Sequence, residues 1–131
     1  MLFYRIENEK KRGCYVGNNG MICNMATREH PSPYDDSLLY KEVNGKRPDF
    51  FGGEWRFGFE SETQFRAWFF DNNELTVMAE HGFKMSVYDV PKNKVVRGYC
   101  QCIMSREYHF DEYLKESKSL TDYIKHTLDK Q

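Results

Sequence analysis

Residues 57–70 constrain the fold of this chain more than any other part of the sequence. A short apolar run leads into Ser61, which begins an S-x-x-Q capping box. In that motif the Ser61 hydroxyl accepts a hydrogen bond from the amide of Gln64, and the Gln64 side chain reaches back to the amide of Ser61. Three large aromatic side chains then fall on one helical face: Phe65, Trp68 and Phe69. The sequence therefore predicts a strand that turns directly into a capped helix.

The length and charge of the chain limit the kind of protein that can contain this corner. A chain of 131 residues is most simply one domain. With 16% aromatic residues, its core is built from few, large side chains. The 19 basic and 20 acidic side chains nearly cancel, so the chain lacks the basic footprint of a nucleic-acid-binding protein.

The sequence also bears on the compartment and on metals. No window approaches the ~20 consecutive apolar residues of a membrane span, and no basic segment followed by an apolar one begins the chain. We therefore expect a cytoplasmic protein with no membrane partner and reduced thiols. The spacing of the cysteines does not fit a zinc knuckle, so we expect no metal. They are either buried small residues or, if two hairpins meet, a cluster of four thiols: Cys14, Cys23, Cys100 and Cys102.

The first half of the chain reads as strands and loops. Residues 2–6 alternate and predict a first strand, and residues 14–23 predict a hairpin around Asn19-Gly20. Two prolines make residues 30–36 irregular, Leu38-Leu39-Tyr40 with Val43 indicates a short helix, and residues 45–53 form a loop. Residues 30–53 therefore offer exposed candidates for binding.

The second half predicts a helix, a hairpin and a final helix. Leu75 and Met78 indicate a short helix with Gly82 in a left-handed cap. Residues 83–90 alternate, a turn follows at 91–94, and residues 95–104 form the return strand. From residue 111 onward an apolar stripe predicts an amphipathic helix, which either docks on the domain or presents a partner surface.

This order of elements is typical of the α+β class. We predict a small, mostly antiparallel sheet with two hairpins, a central strand-to-helix corner and a C-terminal helix. Residues 1–110 would form a single domain, and residues 111–131 the amphipathic helix.

Three short stretches carry a resemblance to known proteins. They are Tyr4-Arg5-Ile6-Glu7, residues 57–70 and Gly98-Tyr99-Cys100-Gln101. Together they resemble small phage and prophage proteins that begin with a Tyr-Arg-[Ile/Val]-Glu strand. The order of elements is also similar, in topology alone, to the ADP-ribosyltransferase fold.

The transferase resemblance implies a nucleotide site. By position, Arg5 would hold the ribose or phosphate of NAD, Ser61 would lie near the nicotinamide, and Gln101 would lie near the ribose of the breaking bond. Tyr15 is a further candidate for stacking on a base. Gln101 is neutral where a carboxylate would stabilise oxocarbenium-like charge, which argues against catalysis. Each candidate also has a structural explanation: an ion pair, a helix cap, polar alternation on a strand, and packing.

Two classes of function follow from these resemblances. The phage likeness favours an interaction protein that binds and inhibits a host protein, for example an anti-CRISPR-like inhibitor of host defence, with no cofactor. The alternative is an ADP-ribosyltransferase-like protein or enzyme that binds NAD or another nucleotide. A self-associating accessory phage protein is a third option. The oligomeric state and the identity of the partner stay open.

Overall fold

The computed structural model describes residues 1–9, 55–105 and 110–129 of the chain. These ranges contain the strands β1 (Leu2–Glu7), β2 (Trp55–Gly58), β3 (Lys84–Asp89), β4 (Val95–Arg97), β5 (Cys102–Ser105) and β6 (Leu114–Ser119). They also contain the helices α1 (Glu62–Trp68), α2 (Asn72–Glu80) and α3 (Leu120–Asp129). The predicted α+β class is confirmed.

The strands form two antiparallel sheets. The first has the order β1-β3-β6 and the second the order β2-β5-β4. An isolated bridge joins them, in which Tyr4 and Phe59 exchange backbone hydrogen bonds of 2.7 and 2.8 Å. The first strand and the strand before the corner were both predicted, and the bridge brings them side by side.

Gly58 permits this close approach of the two sheets. A Cβ at this position would lie 2.5 Å from the Phe3 ring and 2.6 Å from the carbonyl oxygen of Tyr4. Because one of those contacts is backbone, the clash could not be relieved by a side-chain rotation. Glycine is therefore required where β2 crosses β1.

The main core lies between the first sheet and the helices. Alternation along β1 directs Tyr4 and Ile6 towards it, and Met85 and Val87 of β3 join them. Four aromatic residues of the corner complete this core: Phe59, Phe65, Trp68 and Phe69. The Phe59 and Phe65 rings meet edge to face, with centroids 5.6 Å apart. From α3, Tyr123 contacts Phe65 at 5.5 Å.

The predicted hairpin over residues 83–104 is wrong in its pairing. β3 pairs with β1 and β6, whereas β4 turns back through residues 98–101 to pair with β5. β3 is buried along most of its length, so it needs a long neighbour on each edge. β1 and β6 each have six residues, while β4 has three.

The predicted helix from residue 111 begins later. A 3-10 turn, Phe110–Tyr113, and then β6 precede α3, which starts at Leu120. The apolar stripe is weak before this point, and ladder bonds to β3 stabilise the extended form. Leu120 and Tyr123 are buried in the main core. The division into residues 1–110 and 111–131 stays a prediction.

The helix before Gly82 was predicted correctly. Asp71 caps α2 by accepting a hydrogen bond from the amide of Asn73 at 2.9 Å, and Gly82 has φ of 86°. The hairpin at 14–23 and all the elements predicted over residues 30–53 lie outside the described residues.

Candidate functional site at the strand-to-helix corner

Ser61 performs the capping role that its motif predicts. Its side chain accepts a hydrogen bond of 3.1 Å from the amide of Gln64 at the start of α1. The first half of the capping box is confirmed, and the hydroxyl of this candidate ligand residue is occupied by the helix.

Gln64 reaches further than the motif predicts. Its Oε1 accepts a hydrogen bond of 2.8 Å from the amide of Glu60, which corrects the expected bond to the amide of Ser61. Its Nε2 donates to the carbonyl oxygens of Tyr99 at 3.0 Å and Gly98 at 3.4 Å. The Cys102 thiol donates weakly to Oε1 at 3.7 Å. One carboxamide therefore ties α1 to the connection between β4 and β5.

The connection that Gln64 holds presents an aromatic side chain to solvent. Tyr99 is 69% exposed, although the carbonyl oxygen of the same residue is fixed by Gln64. Beside it, Arg97 Nε donates to Glu60 Oε2 at 2.6 Å, and this carboxylate raises the pKa of Arg97. The corner thus combines a fixed backbone, an exposed aromatic side chain and an exposed ion pair.

Arg5 lies in the interior of the protein, where it contacts the strand part of this corner at Phe57. Its side chain is 8% exposed, and that of its partner Glu7 is fully buried. Arg5 Nε donates to Glu7 Oε1 at 2.9 Å, and a terminal nitrogen donates to the carbonyl oxygen of Phe57 at 2.7 Å. The buried Tyr88 hydroxyl donates to the other oxygen of the same carboxylate. This set of contacts balances a buried positive charge.

The electrostatics of this network follow from its burial. Burial lowers the pKa of the Arg5 guanidinium, Glu7 opposes the shift and nearby Arg56 adds to it. Burial also raises the pKa of the Tyr88 phenol, and the hydrogen bond to Glu7 raises it further. The raised pKa keeps the Tyr88 phenol protonated, as the donor of its hydrogen bond to Glu7.

Gln101 belongs to the connection that Gln64 contacts. Its side chain is buried, and its Nε2 has no hydrogen-bond partner in the described ranges. Gln64 thus links the helix that Ser61 caps to the connection that contains Gln101, whereas Arg5 forms an internal ion pair. Tyr15, Cys14 and Cys23 lie outside the described residues. The nucleotide-binding role of these candidates stays a prediction.

Three structurally important residues escaped the sequence interpretation. Gln64 was recognised as a cap but not as the link to Tyr99, because that link joins positions far apart in sequence. In the sequence, Glu7 could have indicated the ion pair of Arg5, because residues two apart on a strand lie on the same face of the sheet. No comparable sequence pattern indicated that Tyr88 would contact Glu7.

The described part of the chain has neither a metal-binding cluster nor a membrane-spanning helix. Within it, no group of three or more His, Cys, Asp or Glu side chains is arranged to hold a metal ion. None of the helices in these ranges has the length and apolar character that a membrane crossing requires.

Residues 1–112 match the model of a family described as bacteriophage T4 Y00F protein. A curated protein of Enterobacteria phage T4, described as an uncharacterized 19.7 kDa protein in the motB-dexA intergenic region, is 31% identical over 93 residues. The aligned region covers 60% of this chain and 55% of that protein. The chain therefore spans about half the length of the curated relative that it matches. No solved structure matches.

Proposed function

The chain belongs to the bacteriophage T4 Y00F protein family, and from this membership we propose that it is a phage protein that binds a host protein and inhibits it. A host-defence complex is the class of target that this proposal favours. The proposed contact surface is the strand-to-helix corner, with Tyr99 at its centre. No catalytic step is assigned to it.

The observation that carries this proposal is the exposure of Tyr99 on a backbone that Gln64 holds from α1. Tyrosine is enriched among the few residues that dominate the binding energy of interfaces. A side chain on a pre-ordered backbone loses less entropy on binding than one on a mobile loop. The corner therefore has both an anchor and the support that makes an anchor effective.

The ion pair beside the anchor suits the rim of such an interface. Arg97 and Glu60 are partly exposed, so their charges stay available to groups on a partner. Charges at a rim mainly affect the rate and specificity of association. We therefore expect a partner surface that accepts an aromatic side chain and carries polar or charged groups around that pocket.

The test is capture of host proteins from a lysate with the wild-type chain, Tyr99→Ala and Phe70→Ala. Phe70 follows α1 and is 63% exposed, so it is a matched exposed aromatic residue away from Gln64. We expect Tyr99→Ala to weaken capture by about 2 kcal/mol or more, roughly thirtyfold, and Phe70→Ala to have little effect. If all three proteins capture host proteins equally well, Tyr99 is not part of the contact surface.

A second variant separates the anchor from its support. Gln64→Ala leaves the Tyr99 ring in place but releases the two carbonyl oxygens that Gln64 binds. We expect a weaker loss of binding, of about 1 kcal/mol, because only pre-ordering is lost. Inhibition is then measured as the activity of the captured complex against increasing protein; unchanged activity at saturation would contradict an inhibitory role.

The nucleotide-binding alternative ranks second. The buried Nε2 of Gln101, which has no hydrogen-bond partner among the described residues, favours it, since a ribose hydroxyl could accept from this atom. The internal ion pair of Arg5 opposes it, because the guanidinium would have to leave Glu7 to reach a phosphate. Titration with millimolar NAD distinguishes the two, since a ligand that binds the folded state raises its melting temperature. No NAD-dependent shift in the wild type, or a shift that Gln101→Ala keeps in full, ends this alternative.

A further inference from the structure

The outer edge of β6 is an unusually exposed part of the fold. β6 is the last strand of the first sheet, and in the part of the chain that the structure describes it pairs with β3 and no other strand. Five of its six residues are exposed. A strand with one neighbour directs half of its backbone donors and acceptors outward, where another strand can bind them.

A bulge limits the part of this edge that is regular. Val87 pairs with Glu116 and Tyr88 pairs with Leu114, so Lys115 is the extra residue. The regular ladder therefore begins at Glu116 and runs to the end of the strand at Ser119. Any partner strand must align with these residues, because the bulge interrupts pairing beyond them.

The charges of residues 116–118 are complementary to those of the same segment in a second, antiparallel copy of the chain. Glu116 and Lys118 share a face of β6, and their side chains form an ion pair of 3.3 Å. If two copies pair antiparallel about Ser117, Glu116 lies opposite Lys118 of the partner subunit, and the reverse pair forms by symmetry. Pairing centred on Glu116 would oppose two carboxylates, and pairing centred on Lys118 would oppose two ammonium groups. Like charges directly opposite one another are destabilising.

We propose that β6 pairs antiparallel with β6 of a second copy of this chain, about a two-fold axis at Ser117. The two copies then share a continuous six-stranded sheet, formed from two sheets of the order β1-β3-β6. Lysines and bulges are devices that prevent indiscriminate edge pairing. Here the bulge and the charge pattern leave one register in which opposite charges face each other. The association is therefore selective, involves a short segment of strand and weakens as the salt concentration rises. The family match ends at residue 112, so this surface lies outside the matched region.

Charge reversal tests the proposed register. Glu116→Lys gives a segment with two opposed lysine pairs in the dimer, and Lys118→Glu gives two opposed glutamate pairs. Each variant alone should raise the dimer dissociation constant by about tenfold or more, measured by sedimentation equilibrium at low salt. An equimolar mixture of the two variants restores complementarity at every position, so the mixture should associate as a heterodimer.

The control is Lys115→Glu, which makes the same charge change at the bulge, opposite the neutral Ser119 of the partner subunit. Its dissociation constant should stay within about twofold of the wild type. Circular dichroism of each variant establishes that the fold is retained. A wild-type chain that stays monomeric up to millimolar concentration overturns the proposal. So do single variants that associate like the wild type, or a mixture that stays monomeric.

Discussion

Two arginine–glutamate pairs of similar geometry occupy opposite environments in this protein. Arg5 and Glu7 meet at 2.9 Å in the interior, whereas Arg97 and Glu60 meet at 2.6 Å at the surface of the corner. The chemistry of the two pairs is the same. Their environments give them different roles, because the energy of an ion pair depends mainly on the solvent that surrounds it.

The buried pair is part of the architecture. Both charges have lost their water, and the protein replaces it with a fixed set of donors and acceptors that includes the Phe57 carbonyl and the Tyr88 hydroxyl. Removing one partner from such a set leaves an uncompensated charge. The surface pair keeps part of its water, since the side chains of Arg97 and Glu60 are 52% and 25% exposed, so it contributes less to stability than the buried pair.

The largest expected effect comes from Glu7→Gln. This change removes the buried negative charge and keeps nearly the same shape, so the Arg5 cation is left unbalanced. We expect the free energy of unfolding to fall by about 3–5 kcal/mol in urea denaturation. A loss below about 1 kcal/mol would mean that the buried and exposed pairs are energetically alike, and the comparison would fail.

An intermediate effect is expected for Tyr88→Phe, and it should depend on pH. The folded protein holds the phenol proton more tightly than the unfolded chain, because the pKa of Tyr88 is raised by burial and by Glu7. Its contribution is therefore present at neutral pH and is lost as pH rises above about 10, the pKa of an unfolded tyrosine. The lost hydrogen bond should cost about 1.5–3 kcal/mol at neutral pH.

The measurement for Tyr88→Phe is unfolding free energy against pH. Below about pH 10 the difference between the two proteins should be constant, and above about pH 10 the wild type should lose more stability than the variant, so the two curves converge. Burial also raises the pKa values of Tyr4 and Tyr123, but both tyrosines are present in both proteins. Parallel curves would show that Tyr88 does not differ in protonation between the folded and unfolded states.

The smallest effect is expected for Glu60→Gln, the matched change in the exposed pair. We expect a loss of at most about 1 kcal/mol at low salt, which disappears in about 1 M salt. A salt series of thermal melts measures this. A large loss that persists in high salt would indicate that Glu60 has a structural role beyond its pair with Arg97.

Local sequence patterns predicted the elements that depend on neighbouring residues. The cap at Ser61, the aromatic face of α1 and the left-handed Gly82 involve groups within a few positions of each other. Alternation similarly located β1 and β3. In each case the physical cause is short-range hydrogen bonding or side-chain periodicity, which can be read directly from the order of residues.

Strand partners could not be predicted in this way, because every antiparallel edge offers the same backbone groups. The turn at 91–94 suggested a hairpin, yet β3 pairs with β1, from the start of the chain, and with β6. The same competition converted residues 114–119 from the expected helix to a strand. The choice of strand partner depends on how much surface all the neighbouring elements bury together.

The order of residues thus accounts for the capped corner, the phage likeness and the α+β class, since these depend on short motifs and element order. The environment of Arg5, the exposure of Tyr99 and the place of β6 at the end of the described β1-β3-β6 sheet come from contacts between distant segments. At such positions the charge environment, the burial and the hydrogen bonds depend on the residues that the fold brings together. That is why Arg5, expected at a ligand, lies in an internal ion pair, while Gln64, expected to be a simple cap, connects the helix to the proposed binding surface.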